Sequence, residues 1–187
     1  MITYNIVQSP IGEILAGTTN TGVCLFEFLD RGGFERIHAR ILKRYRMEMT
    51  TGRNSLLSDI EKQAGEYFAG ERVEFDLPLD QKGSEFERSV WNELVKIPAG
   101  ATRSYGEIAG RLGRPGAARA VGRANGANYI AIIVPCHRVI EESGGLRGYG
   151  GGLWRKQYLL DLEKRIAGSA SDQQLRLAEG TGTVVSP

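Results

Sequence analysis

The hydrophobic pattern of the first eighty residues predicts a small unit of strands and helices. Short runs in which apolar residues cluster or alternate predict strands over residues 2–7, 12–18 and 22–28. In the third run, period-two spacing puts Cys24, Phe26 and Phe28 on one face. Residues 19–22, between the last two runs, have the composition of a hairpin turn.

Helical spacing follows in two stretches. Apolar side chains recur every three or four positions at Phe34, Ile37, Ile41 and Tyr45, and again at Leu56, Ile60, Ala64 and Phe68. Phe75, Leu77 and Leu79 then alternate, and Pro78 among them indicates an edge strand or a strand end. We interpret residues 1–80 as an α/β domain without a catalytic constellation. We expect its Cys24 to pack as a small apolar side chain.

The pattern changes near Asp80, where residues 80–83 read as a linker. Ser84 then begins a capping box with Glu87. A buried helical stripe follows and stops before Pro98; it consists of Phe86, Val90, Leu94 and Ile97. Two further short helices are predicted, one over residues 104–112 and one with Pro115 in its first turn. Their short connection at Gly113 fits a helix-turn-helix.

The rest of the chain alternates between apolar runs and a glycine-rich loop. Residues 130–134 are uniformly apolar and predict a buried strand or segment that leads into Cys136, and residues 144–152 contain six glycines and predict a loop. Helical spacing returns over residues 153–165, and we expect residues 168–187 to be a flexible tail. The fold class predicted is α/β (α+β), with a second, mostly helical domain over residues 84–167.

Composition excludes a few further classes of protein. The chain has 187 residues, of which 41% are hydrophobic and 25% charged, as in ordinary soluble globular proteins. It has no apolar run long enough to cross a membrane and no basic-then-apolar start typical of a secretion signal. The two cysteines lie far apart and suggest neither a disulfide framework nor a zinc site. We therefore expect a cytoplasmic protein.

The charge is unevenly distributed, although the formal net charge is only +2. Residues 108–140 contain no Asp or Glu but five arginines, which are Arg111, Arg114, Arg119, Arg123 and Arg138. An unbalanced basic stretch favours a polyanionic partner such as nucleic acid. A solvated arginine-rich face is the alternative interpretation.

The sequence Pro135-Cys136-His137-Arg138 is the main candidate for chemistry. Cationic or imidazole neighbours can lower the pKa of a thiol and make it a nucleophile. A buried structural cysteine is the alternative. A hydrolytic Cys–His pair is a further alternative, but adjacent side chains rarely face each other, and His137 would reach the thiol only through water. This arrangement favours a single transfer over repeated hydrolysis.

Several spaced motifs carry a specific resemblance. They are Ile97-Pro98-Ala99-Gly100, Ser104-Tyr105-Gly106, GRPGAARAVGRANGAN at 113–128, IVPCHRVI at 133–140 and GYGGGLWRKQYLLDLE at 148–163. In this order they resemble the catalytic domain of the O6-alkylguanine-DNA alkyltransferases. The resemblance implies a ribonuclease-H-like α/β domain at the N-terminus and a C-terminal helical domain with a helix-turn-helix.

The resemblance also implies roles for individual residues. Cys136 is at the alkyl-acceptor position, His137 matches the base that takes its proton through water, and Glu163 matches the acid that orients the imidazole. Asn128 matches an asparagine that braces the helix-turn-helix against the active-site segment. Tyr105 matches a tyrosine that hydrogen-bonds the flipped base and gives a proton to the leaving guanine.

The same resemblance implies two binding surfaces. The expected DNA contacts are Arg119, which replaces the extruded base, and Ser104, Ala120, Arg123 and Arg138. The expected base pocket consists of Tyr105, Val139, Tyr149, Gly150, Gly151 and Lys156. The carbonyls of Cys136 and Val139 would accept bonds from the guanine amine. Since Gly150 can be a serine in relatives, only its backbone can act here, which would leave room for larger alkyl groups.

The implied activity is an irreversible, stoichiometric transfer of an alkyl group from O6-alkylguanine in double-stranded DNA to Cys136. We expect a monomer that uses no cofactor and no metal, because Cys24 and His38 cannot complete the zinc site that some relatives hold. Two alternatives stay open: a non-catalytic binder of alkylated bases, and a regulator of the same fold. The first would need the cysteine replaced and the second a further zinc-binding segment upstream, and we expect neither here.

Overall fold

The computed structural model describes residues 1–179, with side chains through Gly168. Its elements are β1 Ile2–Val7, β2 Ile14–Thr18, β3 Val23–Phe28, α1 Gly33–Tyr45, β4 Met49–Thr51, α2 Ser55–Ala69, α3 Glu85–Val95, β5 Arg103–Ser104, α4 Tyr105–Arg111, α5 Ala118–Gly126, a 3₁₀ helix Cys136–Arg138, β6 Val139–Ile140 and α6 Leu153–Glu179. The predicted division into a sheet-containing N-terminal half and a mostly helical C-terminal half is confirmed.

The N-terminal sheet has the strand order β3-β2-β1-β4. The strands β1, β2 and β3 form an antiparallel meander, and β4 pairs parallel to β1. The three long strands lie where the apolar pattern predicts them. The strand β4 was not predicted, because its three residues are too few to show a periodicity.

The outer edge of β3 is covered by two segments from elsewhere in the chain. At one end Val23 donates to the carbonyl of Pro78 (2.8 Å) and accepts from Asp80 (2.8 Å). At the other end Phe26 donates to Tyr129 and accepts from Ala131, both at 2.8 Å. These bonds satisfy the edge of the sheet and anchor the segment that leads to Cys136.

The predicted strand over residues 75–79 is wrong. Only Leu79 forms a bridge, to Val23, and the preceding residues have no ladder. Pro78 has no N–H to donate, which limits pairing to its carbonyl.

The main core joins both halves of the molecule. It contains Phe26 and Phe28 from the sheet and residues of α2, α3 and the segment before Cys136. The buried stripe of α2 is Leu57, Ile60, Ala64 and Tyr67. It confirms the predicted Ile60 and Ala64, whereas the predicted Leu56 and Phe68 are only partly buried. Cys24 is buried, as expected, but packs with Leu25 in a second cluster rather than with the two phenylalanines.

The two helices α4 and α5 form the predicted pair. Pro115 does not start α5, however, because it lies in the preceding turn. Ala117 donates to the carbonyl of Arg114 (3.0 Å) and Gly116 has a φ of 90°. Proline at the second position and a positive-φ glycine at the third are what a type II turn requires, and α5 begins after it, at Ala118.

A buried tryptophan holds α5 in place. The indole N–H of Trp91 in α3 donates to the carbonyl of Ala124 near the end of α5, at 2.8 Å. Trp91 is 2% exposed. The same carbonyl also accepts from the N–H of Ala127 at 3.2 Å, so the indole supplies a second donor at the end of this helix.

The last helix is longer than predicted. Its backbone continues through residues 168–179, where the sequence analysis expects a flexible tail. Those residues include Ala, Leu, Gln, Arg and Glu, all of which favour helix, and residues 180–187 of the predicted tail lie outside the described residues. In the part of the chain described, no helix has both the length and the apolar character needed to cross a membrane.

Replacing Trp91 by Phe should lower the free energy of unfolding by about 2 kcal/mol, because the buried hydrogen bond from the indole to the carbonyl of Ala124 is lost and the core loses volume. Urea unfolding followed by circular dichroism measures the change. The matched control is Trp154→Phe, since Trp154 is 58% exposed and should change stability by less than about 0.5 kcal/mol. Equal effects of the two substitutions would contradict the role assigned to Trp91.

Candidate active site

Two tight turns deliver Cys136 to the site. Ile133 donates to the carbonyl of Ala131 at 2.8 Å, and the residue between them, Ile132, has a φ of 70°. Cys136 donates to the carbonyl of Val134 at 2.8 Å, around Pro135 with φ −80° and ψ 63°. Both are γ-turns, and the positive-φ form is strained for a β-branched residue. The predicted buried segment is therefore real, but it is a pair of turns rather than a strand.

Two asparagines hold this segment against the end of α5. Asn128 donates to the carbonyl of Val134 at 2.9 Å and accepts from the N–H of Ile130 at 3.0 Å. Asn125 donates to the carbonyl of Cys136 at 3.2 Å. Both side chains are buried. The bracing role expected of Asn128 matches this geometry, while Asn125 was not among the predicted site residues.

Glu163 lies at the centre of a buried hydrogen-bond network. Its Oε1 is 2.8 Å from Nε2 of His137, and both residues are fully buried. Arg138 donates to both carboxylate oxygens, from Nε at 2.9 Å and from Nη2 at 2.8 Å. Tyr67 donates its hydroxyl to Oε1 at 2.9 Å, and the N–H of Gly100 lies 3.4 Å from Oε2.

These contacts determine the protonation states of the pair. Burial alone would raise the pKa of Glu163, but its bonds to His137 and Arg138 outweigh that effect and lower the pKa to about 2. Burial lowers the pKa of His137 more than the carboxylate raises it, so the imidazole is neutral. An ionised Glu163 can only accept, so the imidazole proton lies on Nε2. Among the described residues, Nδ1 has no hydrogen-bond partner, and its lone pair is available to take a proton.

Cys136 is a protonated thiol in this environment. It is 6% exposed, and burial raises its pKa, while a hydrogen bond with Asn128 and the charges of Arg31 and Lys156 act in the opposite direction. The sequence predicted that His137 and Arg138 supply the activating field at the thiol. Arg138 instead compensates the charge of Glu163, to both of whose carboxylate oxygens it donates.

Lys156 ties the loop after β6 to the site. Its buried ammonium group donates to the carbonyl of Val139 at 2.6 Å and to that of Arg147 at 3.0 Å. The hydroxyl of Tyr105 also reaches the carbonyl of Arg147, at 3.3 Å. The carbonyls of Val139 and Cys136, expected to bind the guanine amine, thus already have protein partners. That of Cys136 accepts two bonds, from the Asn125 side chain and from the N–H of Val139.

The glycine loop is fixed by residues of the N-terminal half. Arg155 in α6 is buried and donates to the carbonyls of Gly151 (2.9 Å) and Ile11 (2.7 Å) and to both carboxylate oxygens of Asp30 (3.0 and 2.7 Å). Arg31 fills the space beside Gly150, where any side chain would overlap its guanidinium group. The end of the Arg31 side chain would therefore have to move before the room expected at Gly150 could admit a larger alkyl group.

Tyr105 connects the site to a hollow on the face of α5. Burial raises the pKa of Tyr105, and the charge of the nearby Cys136 is the second cause. The hollow has a volume of about 540 Å³ and is lined by Tyr105, Ala118, Arg119, Gly122, Arg123, Arg147 and Gly148. Arg119 and Arg123 are exposed, and Ala120 is partly exposed.

Two of the expected DNA contacts lie elsewhere. Arg138 is 6% exposed and paired with Glu163, so its side chain is not available at the surface, and that prediction is wrong. Ser104 is buried at the N-terminus of α4. Its hydroxyl accepts from the N–H of Glu107 at 3.1 Å, and Glu107 bonds back to complete a capping box.

Sequence reasoning missed Tyr67 and Arg155. Tyr67 had a signal, because it lies on the buried stripe of α2 and a buried hydroxyl needs a partner. Arg155 had none, since its partners Ile11 and Asp30 are distant in sequence.

Comparison with known proteins agrees with this geometry. Residues 2–81 match the family model of the 6-O-methylguanine DNA methyltransferase ribonuclease-like domain, and residues 85–165 match that of the 6-O-methylguanine DNA methyltransferase DNA binding domain. The ribonuclease-like fold expected at the N-terminus is thus matched, and a match to a DNA-binding domain follows it in the chain.

Similar proteins cover most of the chain. A methylated-DNA–protein-cysteine methyltransferase of Mycolicibacterium paratuberculosis is 50% identical over 88% of this chain and 94% of its own length. One from Methanosarcina acetivorans is 44% identical over 86% and 97%. The crystal structure of Mycobacterium tuberculosis OGT in complex with DNA is 46% identical, with a TM-score of 0.77 over 88% of this chain and 94% of that one. The chain belongs to the 6-O-methylguanine DNA methyltransferase family.

Proposed function

We propose that this protein repairs DNA by direct reversal, moving the alkyl group of O6-alkylguanine to Cys136. The transfer is stoichiometric, because a thioether has no easy leaving group and the sulfur is not regenerated. The protein acts as a monomer on double-stranded DNA. Membership of the family and the names of its relatives support this proposal.

The observation that carries the proposal is the state of His137. Its Nε2–H is held by an ionised carboxylate, and Nδ1 is left with a lone pair on the residue that follows the buried Cys136 in the chain. Such an imidazole can take the thiol proton through one water, and Glu163 stabilises the imidazolium that results. A purely structural cysteine would not need this arrangement.

The bonds change as follows. The thiol proton passes through water to Nδ1 of His137, and the thiolate attacks the alkyl carbon on O6. The C–O6 bond breaks, its electron pair stays on guanine, and the Tyr105 hydroxyl supplies the proton that guanine gains. Tyr105 recovers a proton from the imidazolium or from solvent, so the net result exchanges the thiol hydrogen for the alkyl group.

The surface around Tyr105 supports DNA as the substrate. Arg119, Arg123 and Arg147 surround a hollow whose floor is largely apolar. The arginines attract phosphates, and a base turned out of the helix can enter past Tyr105. Arg119 is exposed on α5 and fills the place that the base leaves.

Entry of a base requires the loop to move. Tyr105 and Lys156 both donate to the carbonyl of Arg147. Tyr149 is buried near Cys136: burial raises the pKa of Tyr149, and the charge of Cys136 is the second cause. We propose that the base displaces the bond between Tyr105 and Arg147 and takes the Tyr105 hydroxyl as its own partner.

Incubation with duplex DNA that contains O6-methylguanine should leave one methyl group on the peptide that contains Cys136, at one per protein molecule. Peptide mass spectrometry measures the adduct. Cys136→Ala should abolish it, and Cys24→Ala is the matched control that keeps it, since the chain has only these two cysteines. Repeated turnover, or no adduct on the wild-type protein, would overturn the proposal.

Arg119→Ala should slow repair of duplex DNA about tenfold and leave the reaction with free O6-methylguanine base unchanged, because a free base needs no extrusion. Single-turnover rates on both substrates measure this. Arg114→Ala, an exposed arginine in the turn before α5, is the control. A loss of equal size on both substrates would exclude the role of Arg119 in extrusion.

Glu163→Gln should lower the free energy of unfolding at pH 7 by about 3 kcal/mol, since it leaves Arg138 buried without its counter-charge. The folded pKa of Glu163, about 2, lies below its ordinary value of 4.5, so the stabilisation is present above pH 4.5 and is lost as the pH falls toward 2. Urea unfolding between pH 7 and pH 3 should show the gap between variant and wild type closing. A gap that stays constant over this range would mean that the carboxyl group is not ionised.

A further inference from the structure

Tyr67 belongs to the N-terminal half, yet its hydroxyl bonds to the carboxylate of the proposed triad. The distance from the hydroxyl to Oε1 of Glu163 is 2.9 Å, and neither side chain is exposed. Burial and the charge of Glu163 raise the pKa of Tyr67 well above its ordinary value. The phenol therefore keeps its proton and is the donor.

The same carboxylate oxygen serves His137. Oε1 accepts from Tyr67 at 2.9 Å, from Nε2 of His137 at 2.8 Å and from Nη2 of Arg138 at 2.8 Å. Donors on one oxygen compete, because each draws negative charge away from the others. A carboxylate bonded by Tyr67 thus stabilises the imidazolium of His137 less than one that lacks this bond.

We propose that Tyr67 is a positioning residue that tunes the basicity of His137 through Glu163, so that the N-terminal half is part of the proton relay to Cys136. The inference rests on the proposed function. It deepens that function by assigning a place in it to a domain that carries none of the reacting groups.

The balance at His137 is sensitive to a single hydroxyl. Burial disfavours the imidazolium, Glu163 favours it, and the neighbouring positive charges oppose it. The titratable and charged groups that face the pair are Cys136 and Arg138 on the 3₁₀ helix, Tyr149 on the loop, Lys156 on α6 and Tyr67 on α2. Of these, Arg138 and Tyr67 hydrogen-bond Glu163, and Tyr67 can lose its polar group with the smaller change of shape, since Phe preserves the ring.

In Tyr67→Phe the carboxylate becomes a stronger acceptor, and the titration midpoint of His137 should rise by about 0.5 pH unit. Because the chain has only two histidines, ¹⁵N-histidine spectra resolve His137 from His38. The rate of methyl transfer needs neutral His137, so its acid limb should move upward by the same amount. At a pH below the midpoint the rate should fall about threefold.

Tyr45→Phe is the matched control. Tyr45 is also a buried tyrosine of the N-terminal half, and its hydroxyl donates to the carbonyl of Asp80, away from Glu163. Tyr45→Phe should lower the stability of the protein without moving the titration midpoint of His137 or the acid limb of the methyl-transfer rate. A purely structural role for Tyr67 would make Tyr67→Phe behave in the same way, and this result would overturn the inference.

If Tyr67→Phe does not fold, site-specific incorporation of 3-fluorotyrosine at position 67 provides a second test. It preserves the packing and should shift the titration midpoint of His137 in the opposite direction. The fluorinated phenol is a stronger donor, so the midpoint of His137 should move down. A midpoint that does not move, or that moves up, contradicts the inference. The histidine titration does not require methyl transfer, so a wild-type protein that forms no adduct refutes the proposed function separately.

Discussion

An ionised carboxylate in the interior is the constraint on which this structure depends. A buried charge is tolerated only when donors and a counter-charge surround it. Around Glu163, which lies on α6, these come from three separate parts of the chain: α2, the turn at Gly100 and the 3₁₀ helix. Each part must reach its position before the carboxylate is satisfied. The cost of leaving it unsatisfied thus links the docking of the two halves to the assembly of the site.

Further polar contacts join the two halves where backbone groups at a sheet edge or a buried charge need partners. The edge of β3 binds the segment after Asn128, and Arg155 binds Ile11 and Asp30 while it holds the glycine loop. In both cases the N-terminal half supplies backbone or carboxylate partners rather than reacting groups. Its contribution is to fix the geometry of residues that the C-terminal half presents.

The sequence predicted what depends on local pattern. The three long strands, the stripes of α1 and α3, the helix pair and the position of the candidate nucleophile all follow from spacing over a few residues. The resemblance added Glu163, which in isolation is an unremarkable helix residue.

What the sequence could not show depends on distant partners. The strand β4 exists only because β1 lies beside it, and Arg138 is buried only because α6 brings Glu163 to it. Pro115 was misplaced because proline suits both a first helical turn and the second position of a turn. Tyr67 reaches its carboxylate across 96 positions of the chain.

The strained turn at Ile132 has a consequence for when the sulfur becomes chemically competent. A β-branched residue does not adopt a φ of 70° unless the surrounding structure imposes it. An unfolded or half-folded chain would therefore present an ordinary thiol, without the imidazole or the asparagine beside it. The reactivity proposed for the Cys136 thiol, which needs proton removal by His137, is therefore available only once the fold is complete.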